Sequence, residues 1–321
     1  YTNESFGYLP TAKMLAEGGH ESMCLTLAIG FFSPQVEEVV LNTVRELAEK
    51  AGREEARARG APYPVRIEKN VRIPMRDGVT LAADVYRPDA GGRFPALVQL
   101  SYYVTGPGIA AQLAPRGYAC VLANSRGRGG SEGEWDPYVN EPRDGFDTQE
   151  WVDRQPWCTG KVGMFGQSYN AFTQIMSAPL ANPHLACILP IEGQQSFFGH
   201  QYNDGVLQLN VVFTHGLLAT GATGLQGHIP IRDPHFLTLP LMSAADRVPH
   251  PQAQRIKLWM QHARYDDHWK SFGVKDKYDR IQAPAYFVTG WYDNLVHENF
   301  RNFEGFRQQG GNEAVRRGTR L

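Results

Sequence analysis

From Val65 onward the chain settles into strand-like patterns. Val65 to Ile73 alternates apolar and polar positions, Met75-Arg76-Asp77-Gly78 forms a turn with the Asp-Gly hairpin signature, and Val79 to Tyr86 alternates again. This predicts two antiparallel strands. Continuous apolar runs follow at Phe94 to Leu100, Tyr118 to Ala123, Val162 to Phe165, Ala186 to Ile191 and Ala285 to Thr289. Runs of that kind fit strands buried on both faces. Helix-compatible stretches separate several of them, including Ala171 to Leu180. Apolar strands alternating with helices predict a doubly wound, mostly parallel α/β sheet, whose functional residues gather at the carboxyl ends of the strands.

Two segments depart from the alternation. Residues 1–34 have no clear period, but from Gln35 to about Arg59 the residues Val36, Val39, Val40, Val44, Leu47 and Ala51 recur at three- and four-residue steps. A helix packed on the main domain is expected there, started by Ser33-Pro34 and stopped by Gly60 and Pro62. Residues 194–280 hold aromatic residues, histidines and proline clusters but few strand-like runs. That length is too great for a loop and predicts an inserted, largely helical cap. The expected organisation is an N-terminal extension (1–64), a first core part (65–193), the cap (194–280) and a second, truncated core part (281–321).

Composition narrows the class. The 321 residues are 42% hydrophobic and 20% charged, with a formal net charge of −1. Such a balance suits an ordinary soluble globular protein and argues against nucleic-acid binding, since Arg126 and Arg128 stand isolated in a glycine-rich turn and Arg316-Arg317 lie near the chain end. No apolar run nears the roughly 20 residues of a membrane span. The cysteines Cys24, Cys120, Cys158 and Cys187 lack metal-binding spacing, and Cys120 and Cys187 read as core residues in a reducing, cytoplasmic compartment. The chain begins at Tyr1, so its start says nothing about targeting.

The chemistry centres on Ser168. In Lys161-Val162-Gly163-Met164-Phe165-Gly166-Gln167-Ser168-Tyr169-Asn170-Ala171 an apolar run enters a Gly-x-Ser turn and a helix follows. This is the layout of a nucleophile elbow, with N–H groups at the helix start available to a developing oxyanion. A buried serine in a strand-to-helix turn would give the same local pattern. Serine needs a base oriented by a carboxylate, and in α/β-hydrolases the acid follows the serine in the chain. Asp293, after the run Tyr286 to Thr289 and Gly290-Trp291-Tyr292, is the acid candidate; a turn-forming aspartate is the alternative.

Further motifs carry a resemblance. Val71 to Leu81 is similar to the opening hairpin of the cocaine-esterase and X-Pro dipeptidyl-peptidase (CocE/NonD) α/β-hydrolases. Arg116-Gly117-Tyr118, Ser125 to Gly133, Asp147-Thr148 with Glu150-Trp151, Gln155-Pro156-Trp157, Gly160 to Gly163, Gly166 to Tyr169 and Gly290 to Asp293 resemble that group's motifs in the same order, over about residues 65 to 310. The resemblance implies a serine esterase or amidase with the α/β-hydrolase fold. Ser168 would be the nucleophile and Asp293 the acid. The backbone N–H of Tyr169 and the hydroxyl of Tyr103 would be the oxyanion donors, with Tyr102 where the group has proline. No cofactor is implied.

There are departures. Asn170 replaces the group's glycine two residues after the nucleophile, and Asn124 stands where aspartate is common. The group's histidine and C-terminal β-sandwich would lie beyond Leu321, so a fragment, a second chain carrying both, or an incomplete site is expected, with the full triad needing polypeptide past Leu321. His297 lies four residues after Asp293. His262 and Asp266 have i, i+4 spacing that suits a metal or, more plainly, a solvated or substrate-lining face. Leu295 and Val296 replace the acidic residues of α-amino-ester hydrolases, which favours a neutral or aromatic acyl ester. Tyr102, Asn170, Phe197, Phe198, Tyr202, Trp259 and Trp291 are candidate pocket residues, or simply cap core. The expected partners are a small ester or amide substrate and a second copy in a homo-oligomer. An acyltransferase with the same serine, or a non-catalytic binding protein, are the competing readings.

Overall fold

The computed structural model describes residues 62–103, 106–203, 205–209, 211–213, 237–247 and 254–321. The expected helix over Gln35–Arg59 and nearly all of the N-terminal extension lie outside them. Six strands form one sheet: β1 (Val65–Pro74), β2 (Thr80–Pro88), β3 (Phe94–Ser101), β4 (Ala119–Asn124), β5 (Cys158–Gln167) and β6 (Leu185–Ile191). Their order is β1-β2-β4-β3-β5-β6, with β1 and β2 antiparallel and β3 to β6 mutually parallel. The Asp77-Gly78 turn closes the first hairpin, with Gly78 at φ 88°, a conformation glycine adopts without strain.

The apolar run Ala285 to Thr289 is not a full strand. It pairs with β6 through isolated parallel bridges, Ile188 to Ala285 and Ile191 to Val288, and with Arg320 through Tyr286. Pro284 just ahead of it has no N–H to extend the ladder. Its parallel direction is nevertheless that of the expected mostly parallel sheet.

Helices cover both faces of the sheet. A short α1 (Ala110–Leu113) closes a small cluster of Tyr86, Cys120, Leu122 and Phe165 on one face. On the other face α2 (Glu141–Asp153) and α3 (Tyr169–Ser177) pack over β3 and β5, around Val98, Met164, Phe172 and Ile175. Between β6 and Ala285 lie α4 (Phe197–Gln201), a hairpin of β7 (Tyr202–Asn203) and β8 (Val206–Leu207), α5 (Gln254–Gln261) and α6 (Asp267–Lys270). The hairpin is an element the residue pattern does not announce, because two-residue strands carry no periodicity. After Asp293 come α7 (Val296–Gln309) and α8 (Glu313–Gly318). Among the described residues no helix is long and apolar enough to cross a membrane.

Arg126 is not isolated. It is buried and donates to both carboxylate oxygens of Asp144 on α2, at 2.8 and 2.7 Å, and to Asp77 of the first hairpin at 2.6 Å. Arg128 lies over the Trp135 ring, 4.3 Å from its centroid. The glycine-rich turn is thus a junction of hairpin, sheet and α2. Arg126→Ala leaves Asp144 buried without its cation, and the expected loss is about 3–5 kcal/mol of unfolding free energy; urea unfolding of the variant measures it.

The cysteine expectation holds in part. Cys120 is buried, but Cys187 is exposed on β6, where the neighbouring run pairs only through bridges. Asn124 explains its own departure from aspartate: its Nδ2 donates to the carbonyls of Ala82 and Gly129, each at 3.2 Å. A carboxylate has no proton to donate there.

Candidate active site

The turn between β5 and α3 is a tight elbow. Ser168 adopts φ 58°, ψ −121°, a strained conformation for a residue with a side chain. Gly166 allows it, since a Cβ on Gly166 would lie 2.6 Å from Cβ of Asn170. The Ser168 N–H donates to the Ile191 carbonyl at 2.9 Å, which ties the elbow to the end of β6. Tyr169 opens α3, where backbone N–H groups have no intrahelical acceptor.

Tyr103 comes to the elbow from the end of β3. Its hydroxyl donates to Ser168 Oγ at 3.4 Å. Ser101 holds the backbone in place, accepting from the Tyr103 N–H at 3.1 Å and donating to its carbonyl at 3.0 Å. Tyr102 stacks on Trp135 with centroids 4.8 Å apart and packs against the rings of Tyr103 and Tyr169, at 4.0 and 4.6 Å. The Tyr169 side chain runs into the core and donates to Glu141 at 2.5 Å. It also accepts from the Tyr138 N–H at 3.1 Å.

Asp293 stands past the end of the Ala285 to Val288 run, one strand position beyond β6 from the elbow. It is buried and accepts from the Thr289 hydroxyl at 3.1 Å and the Leu295 N–H at 3.0 Å. Burial pushes its carboxyl up to about 6, against those two hydrogen bonds. No histidine among the described residues hydrogen-bonds to Ser168 or Asp293. His297 is half-buried on α7.

Other candidates sort by burial. Phe197 and Trp259 are buried, 4.9 Å apart, and line a cavity of about 250 Å³ with Asp136, Tyr138, Arg255 and His268. Phe198 stacks on Tyr202, whose hydroxyl donates to the Trp259 carbonyl at 3.2 Å; neither lines that cavity. Asn170 is buried against Gly166 beneath the elbow. Trp291 is 72% exposed. His262 and Asp266 pair at 2.6 Å, but Asp266 caps α6 while His262 follows α5, so they do not share a helix face. No group of three or more metal-ligating side chains occurs among the described residues.

Among the buried carboxylates that sequence reading missed, Glu141 and Glu192 stand nearest the elbow. Glu141 receives the Tyr169 hydroxyl and Trp135 Nε1, the latter at 3.2 Å. Glu192, at the end of β6, receives Gln167 Nε2 at 2.6 Å. A single glutamate after an apolar run carries no signal of burial. Burial raises Glu141 to about 7, and burial with the Asp293 charge raises Glu192 to about 8. From about pH 4.5, where the unfolded glutamates release their protons, to about 8, where Glu192 releases its own, the folded protein retains protons that the unfolded chain has lost, and stability falls as pH rises. Urea unfolding across that window should show this decline, and Glu141→Gln or Glu192→Gln should flatten it.

Comparison with known proteins matches this arrangement. Residues 77–319 fit the family model described as X-Pro dipeptidyl-peptidase (S15 family). The chain is 32% identical over 262 residues to a cocaine esterase of Rhodococcus sp., covering 74% of this chain and 46% of that enzyme. It is 31% identical over 147 residues to a putative serine esterase of Mycobacterium bovis, covering 37% of this chain and 23% of that protein. The chain thus spans less than half the length of these relatives. A CocE/NonD family hydrolase from Staphylococcus aureus shares the fold, at TM-score 0.57 and 23% identity, over 77% of this chain and 44% of that one. With its ordered motifs, its parallel sheet and the serine elbow at the end of β5, the chain belongs to the X-Pro dipeptidyl-peptidase S15 family of CocE/NonD α/β-hydrolases.

Proposed function

We propose that this chain carries the nucleophile, the acid and the oxyanion donors of a serine hydrolase that cleaves a carboxylic ester or amide through an acyl-enzyme on Ser168. The observation that carries this reading is the Tyr103 hydroxyl at 3.4 Å from Ser168 Oγ, beside the start of α3. A carbonyl carbon attacked by Oγ would leave its oxygen between that phenol and the Tyr169 N–H. Donors aimed at developing charge in a buried site lower the barrier by several kcal/mol.

In the reaction, Oγ forms a bond to the carbonyl carbon as its proton passes to an imidazole base. The tetrahedral oxyanion collapses, the C–O or C–N bond breaks, and the base returns the proton to the leaving alcohol or amine. Water then repeats the sequence on the acyl-enzyme. Asp293 orients the imidazole and stabilises its charged form. The proposed base is a histidine, by resemblance to the family; among the described residues no histidine hydrogen-bonds to Ser168 or Asp293.

The described residues between β6 and Ala285 act as a cap in this reading. The cavity under it, with Phe197, Trp259 and Tyr138 in its wall, suits a neutral aromatic group of the substrate. Tyr138 joins it to the elbow, its ring 4.9 Å from that of Tyr169.

Labelling of the full-length protein with a fluorophosphonate, followed by peptide mapping, tests the reading: the adduct should lie on Ser168, and an adduct elsewhere overturns it. Tyr103→Phe should lower kcat on the order of 10²-fold with little change in thermal stability, as loss of one oxyanion donor does. Steady-state kinetics on an activated aryl ester measure it, and unchanged kcat would remove the phenol from the role.

A further inference from the structure

Glu192 lies between the two halves of the candidate site. Its own N–H donates to the Val288 carbonyl at 2.7 Å, on the side of the acid loop. The carbonyl of the residue before it accepts from Ser168, on the side of the elbow. Its carboxyl holds the side chain of Gln167, the neighbour of Ser168, at 2.6 Å. Glu192 is 3% exposed, and its Oε1 is buried without a hydrogen-bond partner. Its backbone stands at φ 55°, so two strained residues with side chains, Ser168 and Glu192, meet at the ends of adjacent strands. Strain of this kind persists where the surroundings enforce it, and it clusters at functional sites.

We propose that Glu192 is a positioning residue for the reaction on Ser168: its backbone ties the elbow to the acid loop, its buried carboxyl holds Gln167 beside the nucleophile, and ionisation of that carboxyl turns the site off. The inference rests on the acyl-enzyme reading above. Among the described residues the charge that acts on Glu192 is that of Asp293. The end of β5 presents only the uncharged Gln167. From α7, Asn299 accepts from the Gly193 N–H at 3.1 Å, while the Glu298 carboxylate is taken up by the N–H groups of Gln195 and Ser196 and by Arg301. Among the described residues no cation is therefore directed at the Glu192 carboxyl, and burial with the Asp293 charge favours its protonated form, with the transition displaced to about 8. Losing that proton places a second negative charge beside Asp293. A second negative charge near the imidazole base favours its protonated form, and the fraction able to accept the Ser168 proton falls.

The test is the rate of fluorophosphonate labelling of Ser168 in the full-length protein from pH 6 to 9.5. Wild type should lose rate on the alkaline side, with the rate at pH 9 roughly one tenth of that at pH 7 for a single ionisation near 8. In Glu192→Gln, which cannot ionise, the ratio should be about one. In Gln167→Leu, which removes the donor that favours the carboxylate, the alkaline limb should move to higher pH. This second variant decides the matter if Glu192→Gln does not fold. An alkaline limb that is absent from wild type, or unchanged in the variants, overturns the role of Glu192 and leaves the serine reading standing. Absence of any label on Ser168 overturns the serine reading, and this inference with it.

Discussion

Ser168→Ala in the full-length protein should lower ester turnover by on the order of 10⁶-fold, the scale on which loss of a triad nucleophile acts. That corresponds to about 8 kcal/mol of transition-state stabilisation. The substitution removes a single oxygen, whose sole hydrogen bond among the described residues is the 3.4 Å contact from Tyr103. The elbow is held by its backbone, through the Ser168 N–H to Ile191 and the Ser168 carbonyl to Ala171 and Phe172. Folding should therefore be retained, and circular dichroism with a thermal melt checks this alongside the kinetics. Turnover that survives in a folded Ser168→Ala protein would place the nucleophile elsewhere.

Asp293→Asn should cost about 10⁴-fold in kcat, with KM little changed, because an amide neither holds the imidazole in the working tautomer nor stabilises its cation. The geometry tolerates the exchange. The Leu295 N–H can still donate to the amide oxygen, and the Thr289 hydroxyl can accept from the amide nitrogen. The carboxylate must be ionised to act, and burial places its protonation at about 6. Activity in wild type should thus fall as pH drops through about 6, in a transition shared with the base rather than owned by either group. A kcat within a few-fold of wild type for Asp293→Asn would remove this residue from the acid role.

Family membership does not carry the substrate. The cocaine esterase of Rhodococcus sp. and the Mycobacterium protein extend well beyond the stretch this chain covers. The cavity beneath α5 and α6 is built largely from residues that no motif announces: Asp136, Tyr138, Val139, Arg255 and His268 reach it from separate segments. Asp136 and Arg255 form an ion pair across it, linking the loop after the glycine-rich turn to α5. Substrate preference is therefore expected to follow these inter-segment contacts more closely than the elbow itself.

What the sequence determined by itself was local and periodic. The alternation of Val65 to Ile73 and Val79 to Tyr86 around Asp77-Gly78 specified an antiparallel hairpin, and the unbroken apolar runs specified buried parallel strands. The Gly166 to Tyr169 turn specified an elbow, because glycine at 166 is what allows the chain to approach Asn170 and bend. Motif order was enough to name the family. Contacts between distant segments were decided by the tertiary structure alone. Arg126 reads as an isolated basic residue in its glycine-rich turn, and folding joins it to Asp77 and Asp144. Trp291 looks like a pocket residue beside the acid and lies in solvent. Glu192 is a single acidic letter after an apolar run. Only the meeting of β5, β6 and the acid loop removes it from water and sets it beside Gln167 and Asp293. The physical reason is common to all three: propensity and periodicity act within a few residues, whereas desolvation and charge pairing depend on which surfaces the whole fold brings together.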